Sequence, residues 1–205
     1  MSYKIVVARY NEDIKWLKKE RKNCVIYNKG KHLRLKNEIQ CPNKGRESET
    51  YLRYIIENYN DLPDVIVFTQ GKIQDHLGKD DINILLNLKN QAILHNKSQL
   101  FLEHYKSYIN WDFDPMWNYK NGNWYLKDNY KNNEKKLFIN WFQDNIQSKY
   151  PEPIRVYKNG IFAVKKELIY KHPIKYYIQL RDELTHHDNP AEGHFFERSW
   201  YYIFD

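Results

Sequence analysis

The segment Asp64-Val65-Ile66-Val67-Phe68-Thr69 is the most regular apolar run in the chain and predicts a strand. Its four consecutive apolar residues stand between polar ends, which is typical of a buried strand. The polar residues Gln70, Gly71, Asp75 and His76 follow it. We therefore expect this strand to present polar side chains at its carboxyl end.

Two earlier segments repeat this arrangement of a strand followed by a polar loop. Lys4 to Arg9 runs into Tyr10-Asn11-Glu12-Asp13, and Asn23 to Asn28 ends in the turn Lys29-Gly30-Lys31. Helical spacing predicts helices around Trp16 and Leu17, from Tyr51 to Asn58 and from Asp81 to Leu94. Strands that alternate with helices predict a mainly parallel sheet, whose ligands gather outside the carboxyl ends of its strands.

The second half of the chain is less regular. We predict helices over Leu137–Ile146, Lys165–Tyr170 and Ile174–Leu184. The short strands Ile154–Tyr157 and Ile161–Val164 flank Lys158-Asn159-Gly160, which predicts a hairpin or a tight turn. The aromatic connection Ser98–Asn133 is either a binding region or an insertion packed on the core. No linker divides the chain, so residues 1–205 should form one α/β domain with a mixed, mainly parallel sheet flanked by helices.

The composition indicates an anionic ligand and a reducing compartment. The 33 basic and 26 acidic residues leave a net charge of +7, which suits a nucleic acid or a phosphorylated small molecule. The two cysteines, Cys24 and Cys41, fit neither a disulfide framework nor a zinc site, so we expect a cytoplasmic protein. We expect neither a signal peptide nor a membrane span, because no segment approaches the roughly 20 apolar residues of a span.

Several common catalytic signatures are missing from the sequence. With 7 glycines, the chain has no Gly-rich phosphate fingerprint of the Walker or dinucleotide type. It has no Gly-x-Ser-x-Gly elbow, and neither cysteine has the surroundings of a nucleophile. These observations set aside those nucleotide-binding classes and argue against acyl transfer.

The loop Cys41–Thr50 opens a predicted helix and is an attractive anion site. A helix N-terminus offers unpaired amides and a partial positive charge, and Lys44 and Arg46 would stand beside it. Gly45 would allow a ligand to approach closely. Arg9, at the end of the first strand, is a second candidate for a phosphate contact. For both arginines we favour this contact over the alternative, a surface salt bridge.

Two acidic motifs have the residue types of a divalent-metal site. Asp112 and Asp114 are spaced so that an extended loop can point both carboxylates at one cation. Asp75 and His76 follow the most regular strand, where a metal or nucleotide site of an α/β protein belongs. Solvated loop residues are the alternative explanation.

The stretch from His186 to Trp200 concentrates three histidines, three carboxylates and an arginine. A helix that starts at Asn189-Pro190 would hold Glu192 in its first turn, where a carboxylate can act as general base for a hydroxyl group. Asp188 is a second candidate for that role, and His194 is a candidate metal ligand. Alternatively, Glu192 only complements the helix dipole and His194 is a half-buried structural histidine.

Five blocks of the sequence look like one family: Val7–Asp13, Ile26–Gly30, Asn43–Leu52, Asp64–Gly71 with Asp75-His76, and Glu192–Trp200. Together they resemble a glycosyltransferase-like domain of large DNA viruses, notably viruses of chlorella-type algae, and of fungal proteins. The likeness spans nearly the whole chain. It implies a GT-A-like, Rossmann-like fold that holds a nucleoside-diphosphate sugar, usually a UDP-sugar, over the sheet with Mn²⁺ or Mg²⁺ on the diphosphate.

The resemblance also implies roles for residues of this chain. Ala8, Arg9 and Tyr10 would hold the nucleotide base, and Glu192 would act as the base in catalysis. Further predicted contacts come from the loop Cys41–Thr50 and from the residues that follow the strand Asp64–Thr69. The full set of predicted nucleotide-sugar contacts is Ala8, Arg9, Tyr10, Asn43, Lys44, Gly45, Arg46, Gln70 and Gly71. Thr69-Gln70-Gly71 stands where Asp-x-Asp is usual, so metal binding falls to Asp75, His76 and His194, to Asp112 and Asp114, or to no residue.

The favoured expectation is transfer of a sugar from a UDP-sugar to a hydroxyl of a glycan or glycoprotein. Arg9, Lys44 and Arg46 would neutralise the diphosphate. The aromatic segment around Trp111, Trp117 and Trp124 would offer a platform for sugar rings. This function needs no nucleic acid and, for a viral protein, would be carried out in the host cytoplasm.

Two other functions remain as alternatives. A metal-dependent nuclease or phosphodiesterase would use His186-His187-Asp188-Asn189 with His194, and it would require a ββα metal finger. A nucleotide-sugar-binding module without catalysis would bind the donor but neither hydrolyse nor transfer it.

Overall fold

The computed structural model of the chain describes residues 1–99, 102–105, 118–120, 123–125, 134–151, 154–190 and 192–205. The first half contains β1 (Tyr3–Arg9), β2 (Cys24–Asn28), β3 (Glu38–Gln40), α1 (Arg46–Glu57), β4 (Val65–Gln70), α2 (Gln74–Leu77), α3 (Ile82–His95) and β5 (Lys97–Gln99). The second half contains β6 (Leu102–Tyr105), β7 (Asn118–Lys120), β8 (Asn123–Tyr125), α4 (Glu134–Asn145), β9 (Ile154–Tyr157), β10 (Phe162–Lys165), α5 (Lys166–Ile169), α6 (Ile174–Asp182) and α7 (Glu192–Ile203). Short 3-10 helices cover Lys15–Asn23, Tyr59–Asp61 and Lys158–Gly160.

A six-stranded sheet forms the centre of the domain, in the order β3-β2-β1-β4-β10-β5. The strands β3, β2, β1 and β4 are paired in parallel, whereas β10 pairs antiparallel with both β4 and β5. Two smaller ladders join β6 to β9 and β7 to β8. This architecture confirms the predicted mixed, mainly parallel sheet flanked by helices in one α/β domain.

Strand β1 lies inside the parallel part of the sheet because its β-branched run can be covered on both faces. Ile5, Val6 and Val7 are fully buried. Alternate side chains of a strand point to opposite faces. Accordingly, Val6 packs into the core that contains α1 and α7 residues, while Ile5 and Val7 pack into the core that contains α3 residues. The two cores hold helices on both sides of the sheet.

Aromatic side chains fill the core between the sheet and helices α1 and α7. The Phe162 ring centroid lies 5.1–5.9 Å from those of Tyr51, Phe68, Tyr157, Trp200 and Phe204. Tilted and edge contacts at these distances add to the stabilisation from apolar burial. The packing fixes α7 against the sheet.

Of the hairpin and the tight turn predicted around Lys158-Asn159-Gly160, the tight turn forms and the hairpin does not. Both strands form, but β9 pairs with β6, whereas β10 pairs with β4 and β5. Asn159 and Gly160 have positive φ angles of 61° and 62° within a 3-10 turn. This turn directs the chain from one ladder into another instead of folding it back on itself.

The predicted helices form with shifted ends. Helix α1 already begins at Arg46 rather than at Tyr51, with Glu47 and Glu49 in its first turn. Acidic residues are favourable there because they complement the helix dipole. The helix predicted around Trp16 is a 3-10 helix, Lys15–Asn23.

The structure also describes the two cysteines and the apolar character of the helices. Cys24 and Cys41 are both free and buried, and burial raises the pKa of the Cys24 thiol to about 12. Neither is therefore part of a disulfide. Among the described helices, none combines the length and the apolar character needed to cross a membrane.

We expect Phe162→Ala to lower the free energy of unfolding by about 3–5 kcal/mol, because it leaves a cavity in the core. Leu94→Ala is the control, since this side chain is 75% exposed. Its effect should stay within ~0.5 kcal/mol. Urea-induced unfolding followed by circular dichroism measures both, and similar losses in the two variants would contradict the described packing.

Candidate functional site

A cavity of about 400 Å³ opens at the edge of the sheet where the parallel strands end. Its lining combines cations, carboxylates and amides: Ala8, Arg9, Tyr10, Glu12, Lys29, Asn43, Arg46, Glu47, Gln70, Asp188, Asn189 and His194. This position agrees with the rule that α/β proteins bind ligands outside the carboxyl ends of their strands.

Three neighbouring strands deliver one side of the cavity. Strand β1 ends at Arg9 and places Ala8 beside Gln70 of β4. On the other side of β1, strand β2 ends at Asn28 and is followed by Lys29. Because these adjacent strands are parallel, their carboxyl ends meet and loops distant in sequence share one surface.

The Arg9 guanidinium binds neighbouring loops of the protein itself. Its Nε donates to the Glu12 carbonyl at 2.9 Å, and its Nη1 donates to the carbonyls of Tyr10 and Lys31 at 3.1 and 3.0 Å. The same Nη1 donates to Oδ1 of Asn28 at 2.7 Å. Arg9 therefore holds the loops after β1 and β2 together, and Nη2 is the guanidinium nitrogen that these bonds do not use.

Gly30 allows the same two loops to pack closely. A Cβ atom at this position would lie 1.7 Å from the Tyr10 carbonyl oxygen and 2.5 Å from Oδ1 of Asn11. Any side chain would therefore displace the loop after β1. The shape of this part of the cavity depends on a glycine at position 30.

A buried ion pair stands behind the cavity wall. The Lys29 Nζ lies 3.0 Å from Oε2 of Glu49, and the two side chains are only 4% and 0% exposed. The same ammonium group donates to the carbonyl oxygens of Lys44 and Arg46, the latter at 2.5 Å. Lys29 thereby connects the end of β2 to the start of α1 and to Lys44 in front of it.

Two arginines complete the charge around Glu49. Its Oε1 accepts from Nη2 of Arg53 at 2.7 Å and from Nε of Arg181 at 2.9 Å. Burial by itself raises the pKa of the Glu49 carboxyl, but Lys29 and Arg53 outweigh it and hold the pKa below its usual value. Glu49 therefore stays ionised, while burial lowers the pKa of Lys29.

The first residue of α1 and the residue before it are joined to the loop that precedes α7. Gly45 and Arg46 have left-handed φ angles of 60° and 50°. Their amides donate to the carbonyls of His187 and Asp188 at 2.9 and 3.3 Å. These two amides of the predicted anion site are thus already used by peptide carbonyls.

The side chain of Arg46 contacts α7. Its Nη1 lies 3.1 Å from Nε2 of His194, and its Nε lies 3.7 Å from Oε2 of Glu47. Burial, together with the charges of Arg46 and Arg198, lowers the pKa of His194 to about 3. His194 is therefore neutral near pH 7, and its Nε2 accepts a hydrogen bond from Arg46.

Three carboxylates line the cavity. The Asp188 side chain is 55% exposed, and its Oδ1 lies 2.7 Å from Nδ1 of His187. Glu12 accepts from the Tyr10 amide at 2.7 Å, and the Glu47 side chain is 11% exposed. Asp188 is thus the most accessible of the three to a ligand.

One family model matches residues 5–205: DUF3431, a family of proteins of unknown function. The chain belongs to this family. The matched span includes every residue that lines the cavity. No curated protein and no solved structure gives a significant match to the chain.

In this DUF3431 chain, eight predicted residues come together in the cavity: Ala8, Arg9, Tyr10, Asn43, Arg46, Gln70, Asp188 and His194. The predicted contacts Lys44, Gly45 and Gly71 do not line it. The Lys44 Nζ donates to the His186 carbonyl at 3.4 Å, and the Gly71 carbonyl accepts from Trp16 Nε1 at 2.9 Å. Gly45 and Gly71 thus contribute backbone geometry rather than a ligand contact.

Glu192 begins α7, but it does not line the cavity. Its Oε2 lies 3.7 Å from Nε2 of His186, and its side chain is 25% exposed. Of the two candidate bases, Asp188 is the one that lies in the cavity lining.

Four lining residues were not among the predicted contacts: Glu12, Lys29, Glu47 and Asn189. Glu12 and Lys29 come shortly after β1 and β2, so the rule of strand carboxyl ends could have identified them. Glu47 and Asn189 are sequence neighbours of Arg46 and Asp188. No sequence signal shows which side of a loop or first helical turn such a neighbour occupies.

The predicted metal ligands do not come together. Asp75 pairs with Lys72 at 2.8 Å and is 67% exposed, while Nε2 of His76 lies 3.3 Å from Oε1 of Gln70. Neither residue lines the cavity that contains His194. Within the part of the chain that the structure describes, no three His, Cys, Asp or Glu side chains form a group that could hold a metal ion.

Other predictions fall where the structure gives no description. Asp112, Asp114, Trp111 and Trp117 lie outside the described residues, and of Trp124 only the backbone, in β8, is described. The alternative metal motif and the aromatic platform therefore stay predictions.

We expect Glu49→Gln to lower the free energy of unfolding by about 3 kcal/mol, because it removes the counter-charge of a buried ammonium group. Asp75→Asn is the control, since it breaks an exposed ion pair worth ~0–1 kcal/mol. Urea unfolding at pH 7 measures both. Equal effects would contradict the structural role of the buried pair.

The pH dependence of stability offers a second test of Glu49. Its pKa is lower in the folded than in the unfolded protein, so its contribution is complete above the unfolded pKa of about 4.3 and is lost as the pH falls. We expect the wild-type protein to lose stability more steeply than Glu49→Gln between about pH 5 and pH 3. Thermal unfolding across this pH range measures the two slopes, and parallel slopes would argue against an ionised Glu49.

Proposed function

We propose that this protein transfers a sugar from a nucleoside-diphosphate sugar, with UDP as the expected nucleotide, to a hydroxyl group of a glycan or glycoprotein. The observation that carries the proposal is the cavity at the carboxyl ends of β1, β2 and β4, in which guanidinium groups stand beside carboxylates. A diphosphate requires cations and a hydroxyl acceptor requires a base. The charged groups of this cavity meet both requirements.

The size and the neutral lining of the cavity also suit a nucleotide sugar. A volume of about 400 Å³ is that of a small-ligand site. Tyr10 is 51% exposed and offers an aromatic face, while Asn43 and Gln70 offer amide donors and acceptors. All three residues lie in the sequence blocks that resemble viral and fungal glycosyltransferase-like domains. This agreement supports a nucleotide-sugar donor.

The cavity residues would divide the reaction between binding and proton transfer. Arg46, with a contribution from Nη2 of Arg9, would bind the diphosphate and favour its departure. The acceptor oxygen would form the new bond to the anomeric carbon as the bond to the diphosphate breaks. Asp188 would take the proton from that oxygen, a role that its exposure in the cavity permits.

The divalent cation, Mn²⁺ or Mg²⁺, stays a prediction for this reaction. The carboxylates described in the cavity are accompanied by Arg9, Lys29 and Arg46, and they do not form a protein cage for a metal ion. The proposed binding of the diphosphate therefore rests on cations of the chain.

The nuclease alternative has less structural support. His186 and His187 are exposed in the loop between α6 and α7. This loop follows one helix and precedes another, whereas the alternative requires a ββα finger. If the protein cleaved an oligonucleotide and His187→Ala abolished this cleavage, the nuclease alternative would be favoured again.

A binding module without catalysis is the second candidate function. The observation in its favour is that the Arg9 and Glu12 side chains already form hydrogen bonds with other groups of the protein. These two side chains then shape the cavity and take no part in a reaction. Donor binding without hydrolysis or transfer would identify such a module. Turnover of the donor would identify an enzyme.

We expect UDP to raise the melting temperature of the protein, because a ligand that binds only the folded state stabilises it. At about 100 times its Kd the gain is ~2.7 kcal/mol, which corresponds to about 5–10 °C for a chain of this size. Differential scanning fluorimetry with UDP, CDP, GDP and ADP, each with Mn²⁺ or with EDTA, measures the shift. Unchanged melting with all four nucleotides would contradict the proposal.

We expect Asp188→Asn to lower the kcat of sugar transfer by about 10²- to 10⁴-fold, because it removes the proposed base. Glu192→Gln is the matched comparison, and its effect should be below about tenfold because Glu192 lies outside the cavity lining. Release of UDP from a panel of UDP-sugars measures both variants. A larger loss in Glu192→Gln would make Glu192 the base.

A further inference from the structure

The cationic side chains around the cavity differ in how many hydrogen-bond donors remain for an anion. Arg9 and Lys29 are both engaged by carbonyl oxygens of the protein. Lys44 lies outside the cavity lining. The Arg46 side chain is 37% exposed, and the bond to His194 uses one of its five N–H donors. Among the cations described in the lining, Arg46 is therefore the best supplied for an incoming anion.

The backbone of Arg46 is held in an unusual conformation. Its φ angle of 50° lies in the left-handed region, which is unfavourable for residues other than glycine. Its carbonyl accepts from Lys29 Nζ at 2.5 Å, and its amide donates to the Asp188 carbonyl at 3.3 Å. Such a conformation persists where the surroundings over-determine it, and it occurs preferentially at functional sites.

Helix α7 constrains the side chain of the same arginine. The His194 Nε2 lies 3.1 Å from Nη1 of Arg46. A neutral imidazole can accept this bond without adding a positive charge that would repel the guanidinium. A Cβ at Gly193 would lie 3.6 Å from Cδ of Arg46, so the helix backbone also runs close to the arginine stem. The backbone, the aliphatic stem and the guanidinium of Arg46 are thus all held by neighbouring groups.

We propose that Arg46 is the anion-binding residue of the cavity and that His194 is a positioning residue, which orients the Arg46 guanidinium toward the diphosphate of the donor. This inference rests on the proposed function for the identity of the donor. The site itself would recognise a diphosphate group, so inorganic pyrophosphate should bind to it as well. His194 then acts through Arg46, to which its Nε2 is bonded.

Titration calorimetry with UDP and with pyrophosphate tests the role of Arg46. Arg46→Gly and Arg46→Ala both remove the guanidinium, and we expect each to weaken the binding of both anions by about 10- to 100-fold. Arg34 provides the matched control, because it is an exposed arginine with a φ angle of 59° and does not line the cavity. Arg34→Gly and Arg34→Ala should bind both anions as the wild-type protein does.

The same four variants test the backbone strain. At each position the glycine variant should melt about 2–4 °C above the alanine variant, because only glycine adopts a positive φ without cost. The comparison removes the contribution of the side chain, which both variants lack. A lower melting temperature for Arg46→Gly than for Arg46→Ala would contradict the claim that the positive φ angle at position 46 is strained.

His194 requires a readout that distinguishes positioning from packing. His194→Gln keeps a hydrogen-bond acceptor for Arg46, whereas His194→Leu removes it and fills a similar space. We expect the leucine variant to bind pyrophosphate about tenfold more weakly and the glutamine variant to regain most of that loss. Equal losses in the two variants would overturn the positioning role.

The two anions separate this inference from the proposed function. Binding of pyrophosphate but of no nucleoside diphosphate would support the Arg46 site and contradict the proposed function. Binding of UDP that is unchanged in both Arg46 variants would overturn the Arg46 site and leave the proposed function standing. Binding of neither anion to the wild-type protein would overturn both.

Discussion

The buried ammonium group of Lys29 links the end of β2 to helix α1 at the wall of the cavity. Lys29 follows β2, yet its Nζ contacts Glu49 and the carbonyls of Lys44 and Arg46, which belong to α1 and the residues in front of it. Apolar and aromatic packing holds α1 against the sheet, and this ion pair adds a polar contact at the cavity wall. Removal of one partner of a buried pair is strongly destabilising because the other charge is left without compensation. The position of the cavity wall therefore depends on this ion pair.

Positive charge in this protein has an internal use as well as an external one. The net charge of +7 indicates an anionic ligand. However, Arg9 and Lys29, both in the cavity lining, mainly bind carbonyl oxygens of nearby loops. Arg46 differs from them because its bond to His194 leaves most of its donors available. Unused donors, rather than the number of cations, are the reason for proposing Arg46 as the anion-binding residue.

Much of the site follows from the order of strands and loops. Arg9 and Gln70 were predicted because they lie at the ends of apolar strands, and parallel pairing brings those ends together. The same reasoning could not choose between Asp188 and Glu192, which stand four positions apart on a loop and a helix start. The structure separates them because the Asp188 carbonyl binds the Arg46 amide and so brings this loop to the cavity.

By itself, the sequence determined the main strands and helices and the edge of the sheet where polar loops gather. Apolar periodicity and turn residues act over a few positions, so they can be read without knowledge of the fold. Only the tertiary structure decided that β9 pairs with β6 rather than β10, and that Arg46 meets His194 from 148 positions away. Such contacts depend on how whole elements pack, because no local pattern encodes which distant donor will face which acceptor.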